Sequence, residues 1–216
     1  MIRQSLRSQS ASTARNAVIA SLLGACLALP MAVRADEPAA DPHAAHRHAM
    51  EEALKRSEGS YELPDIKLVR QDGKRMALSE IFDDSRPVVL NFIYTTCTTI
   101  CPVTSAVFSQ FQSRVAATNG PIHLVSISID PEQDTTTRLV AYANTFHAGP
   151  NWDHYTGTIE ASIATQRAFS VYRGDKMNHA PVTLLRAAHS KTWVRLDGLA
   201  TPDDLYGEYQ KFVAAR

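Results

Sequence analysis

With 216 residues, 44% of them hydrophobic, the chain can bury one sizeable core but is too short for two comfortable domains once its N-terminus is set aside. Its 22 basic and 22 acidic residues cancel, and removing residues 1–35 takes away four arginines and no acid, which leaves a net charge of −4. No basic stripe remains, so a nucleic-acid partner is excluded as a reading.

The first 35 residues read as an export signal. Arg3, Arg7 and Arg15 precede an apolar core over residues 17–29, and Val33-Arg34-Ala35 offers small residues for a signal peptidase cut before Asp36. The apolar core falls short of the ~20 residues of a membrane span. Two other readings stay open: Leu23-Gly24-Ala25-Cys26 has the form of a lipobox that would lipidate Cys26, and an uncleaved segment would tether the chain. Each predicts an exported, periplasmic domain in an oxidising compartment. Residues 36–59, rich in Pro, Ala and charge and without apolar periodicity, are expected to be a flexible linker. Its run His43-Ala-Ala-His46-Arg-His48-Ala-Met50 either gathers a transition metal loosely or is a solvated tail with no specific affinity.

Folding is expected to begin near residue 60 and to run to residue 216. Residues 61–69, the turn Gln71-Asp72-Gly73-Lys74 and residues 76–78 predict a β-hairpin closed by Asp-Gly. A short helical turn at Ser79-Glu80-Ile81-Phe82 follows, and then a buried strand, Val88-Val89-Leu90-Asn91-Phe92-Ile93-Tyr94. Pro102 suits a first helical position, with Val103, Val107, Phe111 and Val115 as the core-facing stripe and Asn119-Gly120 as the C-cap. Residues 123–129 predict a second strand. Residues 135–146 predict a helix with Leu139, Val140, Tyr142 and Phe146 inward, and Gly149-Pro150-Asn151-Trp152-Asp153-His154 a polar loop. A helix over 159–172 (Ile159, Ile163 and Phe169 as core), strands over 182–185 and 192–196, and a last helix opened by Thr201-Pro202 complete the chain. This order points to an α/β fold, a thioredoxin-like sandwich with a central mixed sheet flanked by helices and an N-terminal β-hairpin extension.

The chemistry concentrates where the buried strand ends, at Thr95-Thr96-Cys97-Thr98-Thr99-Ile100-Cys101-Pro102. Unpaired N–H groups at a helix start favour thiolate over thiol. Residues four apart in a helical turn lie about 5 to 6 Å apart at Cβ, so both sulfurs can reach one ion or each other. The plain alternative is a structural disulfide or a pair of buried thiols. No Gly-rich phosphate loop or Ser/His/Asp grouping appears, which weighs against nucleotide use and acyl transfer.

The motif running from Asn91 to Pro102, with Ser128-Ile129-Asp130-Pro131-Glu132-Gln133-Asp134-Thr135 and the later His179, resembles the Sco/SenC proteins, thioredoxin-fold copper-binding assembly factors for cytochrome c oxidase. The likeness covers about residues 61–216. It implies that Cys97, Cys101 and His179 are copper ligands, for Cu(I), Cu(II) or both, and that Asp130 lies near the site. It implies as partner the CuA-bearing oxidase subunit or another cuproprotein, with other periplasmic copper chaperones or thiol reductants besides. The chain departs from the family pattern in having Asn178 before the histidine and Arg186-Ala187-Ala188-His189 after the strand, which keeps His189 as a second candidate ligand. Two soft thiolates with an imidazole suit copper, and three ligands leave a site open for hand-over, where structural zinc would take four. The reading of a different class is a periplasmic thiol-disulfide oxidoreductase, in which Cys97 attacks and Cys101 resolves.

Overall fold

A computed structural model describes residues 54–82 and 85–214. The export signal, Cys26 and the linker histidines lie outside them.

Eight strands form one mixed sheet in the order β1-β8-β7-β4-β5-β6-β2-β3. They are β1 Lys55–Gly59, β2 Lys67–Arg70, β3 Arg75–Ala77, β4 Val88–Ile93, β5 His123–Ser128, β6 Trp152–Thr156, β7 Val182–Arg186 and β8 Trp193–Asp197. β4, β5 and β6 run parallel at the centre, and every other pairing is antiparallel. The helices are α1 Leu78–Phe82, α2 Ile100–Ala117, α3 Thr136–Thr145, α4 Ile159–Ala168 and α5 Pro202–Ala214. The expected thioredoxin-like arrangement is therefore present.

β4 and β5 are buried along their whole length, as strands covered on both faces must be. Alternate residues feed two apolar clusters. Val89 and Leu124 pack with Phe108, Phe111 and Val115 of α2 and with Leu205 and Tyr209 of α5. Leu90, Phe92, Val125 and Ile127 pack with Phe82, Tyr155, Phe169 and Trp193.

The hairpin forms where Asp-Gly predicts it. Gly73 takes φ 87°, and Asp72 Oδ1 accepts from the Lys74 N–H at 3.0 Å. β2 then joins the sheet edge against β6. At the end of α2 the Asn119 N–H reaches the Ala116 carbonyl and the Gly120 N–H the Val115 carbonyl, with Asn119 at φ 51°. This paired closure is a Schellman cap at the expected site.

Several expectations are corrected. The linker does not run unstructured to residue 59, because residues 55–59 are β1, paired along β8 at the sheet edge. Of the polar loop expected over residues 149–154, residues 152–154 instead open β6, parallel to β5. The inward stripe of α2 is Cys101, Ser105, Phe108, Phe111 and Val115, while Val103 is exposed. Val140 and Ile159 are also exposed, and α4 stops at Ala168.

Candidate metal centre

β4 delivers the cysteines. Beyond Ile93 the chain turns, with the Cys97 N–H donating to the Tyr94 carbonyl at 3.1 Å, and α2 starts at Ile100. Cys101 thus sits in the first helical turn, ahead of Pro102. Thr99, the N-cap residue, makes no side-chain cap bond. Its hydroxyl lies 3.6 Å from Cys97 Sγ, and the Cys101 N–H donates to that same sulfur at 3.5 Å. The Cys97 sulfur thereby takes the place of a capping oxygen among the unpaired donors of the helix start.

Both cysteines are free thiols and buried. The hydrogen bond from the Cys101 side chain, helped by N–H donors and opposed by burial, holds the Cys97 thiol well below the ordinary thiol range. The same bond, with burial and the neighbouring charge, pushes the Cys101 thiol up. The two opposed shifts favour the thiolate at Cys97 over Cys101.

Asp134 anchors the turn from below. Fully buried, it accepts from the Thr95 N–H at 3.1 Å, the Thr95 hydroxyl at 2.5 Å and the Ser128 hydroxyl at 2.6 Å. Burial raises its carboxyl above the usual carboxylate range, and these donors pull the other way. Tyr142 donates to the Cys101 carbonyl at 3.2 Å and pairs with Ser105 at 2.7 Å, which fixes the helix start to α3. The sequence shows Asp134 only as a letter in a motif. Its position just before the N-cap Thr135, beyond a buried strand, is the one signal that could have singled it out.

His179 arrives from the other side. A 3-10 turn, Lys176–Asn178, is capped by Asp175, which accepts from the Met177 N–H at 2.8 Å. His179 follows, buried, with Nε2 3.0 Å from the Phe92 carbonyl. A carbonyl only accepts, so Nε2 holds a proton and the lone pair of the neutral ring lies on Nδ1. Lys176 Nζ bonds Asp130 at 2.5 Å and ties this segment to the end of β5. Asp130 is thus near the site but engaged with a lysine.

Because β7 is antiparallel to β4, with Asn91 opposite Thr183, the start of β7 lies beside the end of β4. Cys97, Cys101 and His179 therefore share one end of the sheet. Among the described residues no three His, Cys, Asp or Glu side chains already stand as a metal cluster. His189, the second candidate, is exposed in the turn after β7, at the opposite end of the sheet. At about 3.3 Å per residue a five-residue strand separates it from the cysteines by roughly 16 Å. His123 bonds Asp153 at 3.1 Å, and His154 is wholly buried, stacked on Trp152, with its imidazole pushed down to about 4 by burial.

The SCO1/SenC family profile matches residues 55–213. The chain belongs to the SCO1/SenC family. It is 31% identical over 105 residues to the SCO1 protein homolog of Bacillus subtilis, covering 48% of this chain and 53% of that protein. It is 30% identical over 106 residues to SCO1 homolog 1, mitochondrial, of Arabidopsis thaliana, covering 49% and 30%. The chain thus spans about half the length, or less, of these curated relatives. Among solved structures, BsSco, described as a cytochrome c oxidase assembly protein of the Sco family with a disulfide switch, superimposes with a TM-score of 0.62 at 24% identity, covering 74% of this chain and 98% of that one. Yeast Sco1 with copper bound gives 0.60 at 16% identity, covering 73% and 92%. The family's start at residue 55 coincides with β1.

Proposed function

We propose that this protein is an exported copper carrier that binds one ion through the Cys97 and Cys101 thiolates and the His179 imidazole, and delivers it to, or prepares, the CuA site of cytochrome c oxidase. The observation that carries the reading is the reduced cysteine pair at the start of α2 with His179 beside it at the same sheet end. Two soft sulfurs and an imidazole match Cu(I) and also hold Cu(II), whereas hard cations take oxygen. A ring N–H donated to a backbone carbonyl is how ligating histidines are held, which makes Nδ1 of His179 the nitrogen that would bind. Among the described residues the three side chains do not stand as a formed cluster, so binding through all three requires the segment carrying His179 to move toward the sulfurs. Copper-bound Sco structures and the family membership support the same conclusion. The carrier works outside the cytoplasm, either released after Ala35 or tethered through Cys26 or an uncleaved N-terminus, and its partner is the CuA-bearing subunit or another cuproprotein.

One observation favours thiol-disulfide exchange as a second reading: Cys97 borders a surface pocket while Cys101 is only 1% exposed. The Cys97 thiolate would attack a partner disulfide, one partner sulfur leaving as thiolate. Cys101 would then displace the second, so that the partner is reduced and the pair here oxidised. Copper needs the reduced pair, so both activities use one site and exclude each other in time.

The test is anaerobic Cu(I) titration of the reduced protein. One copper per chain, abolished in Cys97→Ser, is expected. Undiminished one-to-one binding by Cys97→Ser would overturn the reading.

A further inference from the structure

A small pocket of about 100 Å³ opens at the cysteine turn, and its sulfur-bearing walls are Cys97 on one side and Met177 on the other. Cys101 and His179, the remaining proposed ligands, do not line it. Met177 is 51% exposed at the end of the sheet where the ligands gather, on a turn capped by Asp175 and tied down by the Lys176 bond to Asp130. Tyr94 lines the same pocket, and its hydroxyl lies 3.8 Å from Met177 Sδ. The half-exposed thioether is therefore not packed in the core, and it lines the same pocket as Cys97 with its sulfur in contact with Tyr94.

We infer that Met177 and Cys97 form an outer two-sulfur position where Cu(I) first lands, before Cys101 and His179 take it inward. This rests on the copper-carrier reading. A thioether and a thiolate are both soft, and together they prefer Cu(I) to zinc or to hard cations. A thioether has no proton to lose, so Met177 can bind the ion without any proton transfer. Met is unbranched with three rotatable bonds, so the sulfur can close on an ion without moving the backbone. The ion then passes by ligand exchange: Cys101 yields its proton to water as its sulfur binds, His179 adds its nitrogen, and Met177 lets go. Copper stays Cu(I) throughout. Met177 and His179 lie two residues apart on one segment, so the shift that brings the imidazole toward the cysteines also carries the thioether. The same route in reverse would present copper to a recipient.

The inference is tested with methionine methyl groups labelled with carbon-13 in the reduced full chain, the Met177 resonance being assigned by its loss in Met177→Leu. In a Cys101→Ser/His179→Ala background, one equivalent of Ag(I), a soft closed-shell stand-in for Cu(I), should shift the Met177 methyl resonance. In the otherwise natural protein, Met177→Leu should slow Cu(I) capture from a coloured chelator about tenfold while the final affinity changes by less than about threefold, as expected for a ligand of passage. Met177 is half exposed, so this substitution leaves the core intact. An unmoved Met177 methyl, or unchanged capture kinetics in Met177→Leu, overturns the outer position in a protein that still binds one copper. Absence of copper binding by the natural protein overturns the carrier reading instead, and the silver experiment still decides whether the two sulfurs share an ion.

Discussion

The turn carrying Cys97 and the segment carrying His179 meet at one end of the sheet, yet they are held there by different means. The cysteine turn is fastened into the interior. Asp134 takes bonds from Thr95 and Ser128, Tyr142 holds the Cys101 carbonyl, and both sulfurs are buried. The segment leading to His179 lies on the surface. Gly174 is at φ 78°, Met177 and Asn178 are exposed, and its ties include the Asp175 cap, the bond from Lys176 to Asp130, the Tyr94 contact with Met177 and the bond from His179 to Phe92. Each donor lost by a buried acceptor costs about 1–3 kcal/mol, and Asp134 takes donors from both Thr95 and Ser128 where Asp130 takes the Lys176 ammonium. On the proposed reading the dithiol is thus the fixed arm, and the exposed turn that carries His179 is the adjustable one. A carrier needs that inequality: a ligand that swings away opens the ion to a recipient, while a rigid dithiol keeps it from being lost.

The contrast can be broken or sharpened by mutation. The largest effect is expected from His179→Ala, which should weaken Cu(I) binding about a hundredfold, near 2.7 kcal/mol, while exchange with a small-molecule disulfide stays within about threefold. Equal copper affinity in a competition assay would reject His179 as a ligand. Next, Asp134→Asn places an amide donor against the Thr95 and Ser128 donors and should lower unfolding stability by about 1–3 kcal/mol in urea. An unchanged midpoint would mean the turn is held by something else. Cys97 should be alkylated by iodoacetamide well below the ordinary thiol pKa of about 8.5, at least tenfold faster than Cys101 at pH 6, since the thiolate is the nucleophile. Peptide mapping that finds Cys101 modified first would reverse the order of the pair. The smallest effect is expected from Lys176→Ala. Its side chain is 37% exposed, but the Asp130 carboxylate it bonds is buried and would lose that donor, so stability should fall by about 1 kcal/mol, toward the low end of what a buried acceptor costs. A larger loss would show that the second segment is not the loosely held one.

Much of this was legible in the residues, for physical reasons that also mark what was not. β4 and β5 announce themselves because strands covered on both faces are continuously apolar. The Asp-Gly hairpin does so because a left-handed glycine is required. β1 was hidden: Lys-Arg-Ser-Glu-Gly, exposed at four of five positions, reads as linker, and it is a strand through its backbone ladder to β8 and the reach of Arg56 to Glu208. β6 was hidden because its polar residues find partners only after folding, Asp153 with His123 and the backbone of His154 with Gln71. The inward face of α2 was right at Phe111 and Val115 but missed its first turns, because Ser105, a poor core residue on paper, meets Tyr142 while Val103 is exposed. That the two cysteines adjoin at a helix start was readable from their spacing, whereas only the family likeness singled out His179. Asp134 needed coordinates, because its role exists only when Thr95 and Ser128 converge on it from two different strand ends.

The most direct measurement is X-ray absorption at the copper edge of the reduced, Cu(I)-loaded protein, alongside His179→Ala. The account predicts two sulfurs and one nitrogen per copper, with the nitrogen shell lost in the variant. A copper with only sulfur neighbours, or a nitrogen shell that persists without His179, would contradict it.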